Sequence, residues 1–168
     1  HLMVDTVCRL IFLFGGIVME SITFPVAQFK NMTTEGIPPR IRKYFYAEIH
    51  DIPHMFADYC SPGQDPRGPE YEQAVSVMQL QPQKLHLLMR PITMHASHIA
   101  FDNRKGKVSI SLEKNGVDGV CVGSEVLDAV LTHRDDPDLN REMYVEFEIL
   151  SGFTQEELDE LKQQRKLS

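Results

Sequence analysis

The 168-residue chain predicts an α+β fold, an antiparallel or mixed β-sheet with three to four helices packed mainly on one face. Three observations carry that class. Val108, Ile110 and Leu112 alternate with Ser109, Ser111 and Glu113; likewise Met143, Val145, Phe147 and Ile149 face in while Glu146 and Glu148 face out. A period of two is the mark of a half-buried strand. Short Gly-containing connections, Asn103-Arg104-Lys105-Gly106 and Asn115-Gly116, have the length and chemistry of hairpin turns. Helical spacing of apolar residues is confined to a few windows.

Residues 1–18 read in two ways. His1-Leu2 ahead of Met3 has the look of a tag. The run Leu10-Ile11-Phe12-Leu13-Phe14-Gly15-Gly16-Ile17-Val18 is shorter than the roughly 20 apolar residues a bilayer-spanning helix needs. It also lacks the basic flank and cleavage site of a signal peptide. It is either a buried extra strand closed by a Gly-Gly turn, or a tag or non-native leader ahead of a start at Met19. Residues 19–168 are expected to form a single α+β domain.

Ile22 to Lys30 reads as a strand interrupted by Pro25, which suits an edge or a strand start. Residues 31–39 are a loop by composition. Phe45, Ala47 and Ile49 alternate through a strand ending at His50, with a helix entered at Pro39 as the competing reading. Asp51-Ile52-Pro53 caps a short helix from His54 to Cys60. Three prolines and two glycines make 61–69 a loop. Tyr71, Ala74, Val75 and Met78 mark a helix over 70–80, ended by Gln81-Pro82-Gln83.

The stretch 84–114 follows, holding three of the seven histidines. Beyond the Asn115-Gly116 turn, Val120-Cys121-Val122 is a short strand. Ser124 caps a helix over Glu125–His133 with Val126, Leu127, Val130 and Leu131 as its stripe, and His133 and Arg134 suit its negative pole. An acidic loop precedes the strand 143–150. Thr154-Gln155-Glu156-Glu157 opens a last helix with a capping box, and Leu158, Leu161 and Arg165 give it only a thin face.

A formal charge of −7 argues against general nucleic-acid binding, which needs a basic face. Cys8, Cys60 and Cys121 are too widely spaced for a zinc signature, and their odd number fits a reducing compartment, hence the cytoplasm. No glycine-rich phosphate loop stands in the chain, so no cofactor is predicted, and no membrane span.

Arg42, Tyr44, Tyr46, Tyr59 and Arg67 concentrate the residue types enriched at interface hot spots, and are the candidate binding surface. The expected function is therefore a non-enzymatic binding module that engages another protein or, as a homo-oligomer, itself. The first alternative is a small metal-dependent hydrolase in which His50, His54, His95 and His98, with Asp58, hold one transition metal ion. His95 and His98 share a face only on a helix; on a strand their odd spacing separates them. Cys60 lacks the context of a nucleophile and reads as structural. The second alternative is a small-molecule pocket between the sheet and the 124–134 helix.

Overall fold

The computed structural model describes residues 8–29, 33–35, 40–60, 67–79, 86–87, 91–138 and 143–167. In chain order the elements are β1 (Cys8–Phe14), β2 (Ile17–Pro25), β3 (Gln28–Phe29), β4 (Thr33–Glu35), β5 (Arg40–Glu48), and 3-10 segments Ile49–Asp51 and His54–Tyr59. Then follow α1 (Pro69–Met78), β6 (His86–Leu87), β7 (Ile92–His95), β8 (His98–Asp102), β9 (Lys107–Glu113), β10 (Gly119–Val122), α2 (Ser124–His133), β11 (Met143–Ser151) and α3 (Gln155–Leu167). The class is α+β, with two sheets. One, ordered β1-β2-β9-β8, is antiparallel throughout. The other runs β10-β7-β11-β5-β3, with β4 on β5 and β6 on β11, and is mixed because β6 and β7 lie parallel to β11.

Phenylalanines join the sheets. Phe24 of β2 meets Phe45 of β5 and Phe147 of β11 edge-on at 5.9 and 6.4 Å, and Phe56 closes the cluster at 5.4 Å from Phe24. Phe45 and Phe147 stack at 5.4 Å. Such pairs contribute about 1 kcal/mol each beyond the area they bury. α2 adds Val126, Leu127, Ala129 and Val130 to this core, and α1 adds Tyr71, Ala74 and Met78. α3 instead contacts Thr93 and Glu148, whose side chains alternate with the core residues of β7 and β11 and so face away from the phenylalanines.

Several expectations need correction. Pro25 is the last residue of β2, and β2 lies inside its sheet, where a terminal proline forfeits no central ladder bond. Residues 8–14 do form a strand with a Gly15-Gly16 turn, but an exposed one. Thr33–Glu35 is a strand within the expected loop 31–39, the rest of which lies outside the described residues, as do 61–66 and 80–85. Asn115 takes a positive φ of 65°, yet β9 and β10 belong to different sheets, so this is a crossover turn.

Gly123, not Ser124, caps α2: its φ is 92° and a Cβ there would come within 3.1 Å of Ile92 Cα, so only glycine fits. Asp51 sits in its own 3-10 turn, and Pro53 precedes the His54 segment with no side-chain cap. Arg134 is buried and donates to the carbonyls of Ile49 and Ile52, anchoring the 3-10 turns. Glu148, expected to face solvent, is 1% exposed. Among the described residues no helix is long and apolar enough to cross a membrane.

Candidate functional site

The alternation of β11 turns Glu148 away from the core, and antiparallel pairing sets Tyr44 directly beside it. α3 then covers the carboxylate. Arg165 Nη1 donates to Glu148 Oε1 at 2.5 Å and to Thr93 Oγ1 at 2.6 Å; the Thr93 hydroxyl donates to the same carboxylate oxygen at 2.7 Å. Tyr44 donates to Glu148 Oε2 at 2.7 Å, and Arg42 Nε lies 3.3 Å from that oxygen. Burial alone pushes the Glu148 pKa up, but the donors Arg165, Thr93 and Tyr44 outweigh it and hold the carboxyl below its usual range. Burial and the neighbouring carboxylate push the Tyr44 phenol up. Both oxygens being occupied, this group is a dock for α3 and not a general base.

The same helix is fixed at its start. Thr154 Oγ1 accepts from Glu157 N–H at 3.2 Å while Glu157 accepts from Thr154 N–H at 3.1 Å, the reciprocal capping box read from the sequence. Glu157 also pairs with Arg40.

The five residues of the candidate binding surface therefore divide among separate contacts. Arg42 and Tyr44 hold Glu148, and Tyr46 is buried. Tyr59 donates to buried Glu20 at 2.7 Å, whose other oxygen pairs with Arg9 of β1. Arg67 lies over the Tyr71 ring at 4.9 Å and 3.5 Å from Asp128. Tyr44, Tyr46 and Tyr59 are thus turned to internal partners or buried, and of the five only Arg67 keeps a mostly exposed side chain.

Of the histidines, His95 is buried, with Nδ1 2.9 Å from Asp118 Oδ1, and its Nε2 accepts the Phe153 N–H at 3.0 Å. The proton therefore sits on Nδ1. Asp118 also accepts from Ser97 at 2.6 Å and from Glu113 N–H at 2.7 Å. Ser, Asp and His meet here in the wrong order for nucleophilic catalysis. The serine faces the aspartate, and the imidazole nitrogen that would take a proton is blocked. The network instead ties β7, the 115–119 turn and the start of α3 together. His98 is exposed on β8, in the other sheet; His50 and His54 lie on separate 3-10 turns. Among the described residues no group of three or more His, Cys, Asp or Glu converges to hold a metal.

A cleft of about 320 Å³ opens between residues 58–60, the 114–121 turn and α3, lined by Asp58, Lys114, Gln155 and Lys162 among others. It is not at the α2 face, which core side chains fill. Cys60 and Cys121 line it, and burial pushes both thiols up to about 11, so only about one in ten thousand is a thiolate at neutral pH.

The feature that sequence reasoning left unassigned is β1. It pairs with β2 through seven consecutive residues without a bulge, and among the described residues no strand lies on its other side. Leu10 is 62% exposed, Ile11 55%, Phe12 43% and Leu13 74%, with Ile17 beyond the turn at 41%. Neighbouring positions point to opposite faces, so both faces of the edge are apolar. The opposite edge of this sheet, β8, exposes His98, Ala100 and Asp102 and buries Ile99. The signal was present in the sequence, since residues 10–14 are apolar at every position instead of alternating. No protein-family model matches the chain, and comparison with curated proteins and with solved structures gives no match.

Proposed function

We propose that the protein is a non-enzymatic binding module that engages another protein, or itself, along the free edge of β1. The observation behind this is the unbroken apolar edge strand. A strand edge carries a row of unpaired N–H and C=O groups, and proteins that do not use an edge blunt it with lysine, proline, bulges or cover. Among the described residues β1 has none of these devices; its single charge, Arg9, is answered by Glu20. Covering each half-exposed side chain gains about 1 kcal/mol. Four of them offset the lower end of the cost of association, and the edge hydrogen bonds supply the rest, which points to micromolar affinity. A charge of −7 supports a partner other than nucleic acid, and three unpaired cysteines support a reducing, cytoplasmic setting.

The test compares the wild-type chain with a Leu10→Lys/Leu13→Lys variant in light scattering and in capture from a cell lysate. Self-association or capture by the wild type, lost in the variant at an unchanged unfolding midpoint, is the expected result. Association that survives both substitutions, or no association of either kind, would overturn the proposal.

A further inference from the structure

Resting on that reading, we infer that the occupant of the edge is β1 of a second copy, paired antiparallel about a two-fold axis through Ile11. The two four-stranded sheets then form one continuous sheet of eight strands. Three features of β1 carry the inference.

The first is length and parity. Centring on Ile11 pairs all seven residues: Ile11 with Ile11, Leu10 with Phe12, Arg9 with Leu13, and Cys8 with Phe14 of the second copy. Each pair joins positions an even number apart, so like faces meet and both cores stay on the same side of the joined sheet. A one-residue slip would turn one molecule over.

Charge is the second. Arg9 is the only ionic residue of β1, and in this register it stands opposite Leu13, four positions from the other copy's Arg9. Like charges do not meet, and each guanidinium keeps Glu20 of its own chain.

The third is the apolar character of both faces. An ordinary amphipathic strand would cover Leu10 and Phe12 or Ile11 and Leu13, leaving the other pair beside polar groups. β1 itself is apolar on both sides and fits both.

Register-specific cross-linking of the full chain tests this. In a Cys8→Ser background, Ile11→Cys places two thiols directly opposite across the axis, at Cα separations of about 5 Å that a disulfide spans. Mild oxidation should give a covalent dimer, whereas Leu13→Cys, facing Arg9, should not. Leu10→Lys should weaken the dimer at least tenfold, read by sedimentation across the micromolar range. A dimer cross-linked through position 13 but not 11 would overturn the two-fold register. A chain that stays monomeric yet captures another protein through β1 would overturn the second copy alone. A monomer without such capture would remove the binding role as well.

Discussion

β1 and the layer around Glu148 invert the usual distribution of residues in opposite senses. One places Leu10, Ile11, Phe12 and Leu13 in water; the other places a carboxylate at 1% exposure. The difference lies in where their partners are. Glu148 is answered within the chain by Arg165, Arg42, Thr93 and Tyr44, so its burial is complete and structural. β1 is answered on one side by β2 and, among the described residues, by nothing on the other. A satisfied anomaly points inward to stability, and an unsatisfied one points outward to a partner.

The largest expected effect is on the satisfied side. Glu148→Ala leaves two arginines and two hydroxyls around an empty position, and breaking a buried pair in this way costs about 3 kcal/mol or more. Urea unfolding should show that loss, with association through β1 unaltered. Acid should act in the same direction. The folded-state pKa of Glu148 is depressed, so its stabilisation is complete above the unfolded carboxyl value, about 4, and is lost as pH falls through the lower folded value. Unfolding midpoints measured from pH 6 down to pH 2 should fall more steeply in the wild type than in Glu148→Gln. Equal slopes would mean that the Glu148 layer is not what acid removes.

A smaller effect belongs to the junction of the two kinds of region. Tyr59 and Arg9 share buried Glu20, which fastens β1 to the second 3-10 segment, His54–Tyr59. Tyr59→Phe removes one hydrogen bond to a charged group, a loss of about 2 kcal/mol. Amide exchange should rise in β1 and β2 more than in β8. Uniform exchange across the sheet would show that β1 is no more separable than the opposite edge.

The comparison also explains what could be read from the sequence. Alternating stretches such as 107–113 and 143–147 were legible because one face of each is buried and period two survives. Pairing was less so: Asn115-Gly116 has hairpin chemistry, but β10 joins β7 because the bond partners of a strand are set by the whole core. Glu148 could not be told from Glu146 by alternation, since both leave the core face and only the arrival of α3 buries one. Tyr44 and Tyr59 are hot-spot residue types spent on buried carboxylates 104 and 39 positions away, a distance no local pattern spans. β1 was visible as an apolar run, but its exposure depends on what does not pack against it.

The smallest expected effect makes the sharpest use of the contrast. Leu13→Ala removes a large apolar side chain, which in a core would cost about 2–5 kcal/mol. Leu13 is 74% exposed, so little surface is withdrawn from water on folding, and the stability of the monomer should change by about 0.5 kcal/mol or less. Ile99→Ala, at the other edge of the same sheet, exchanges a buried side chain and should show the full core penalty. Measured by urea unfolding at concentrations below association, a near-zero value for Leu13 beside a large one for Ile99 means that β1 contributes its apolar surface to contacts outside the fold. A comparable loss at both positions would mean that β1 is packed within the chain, and its apolar residues would then need no partner.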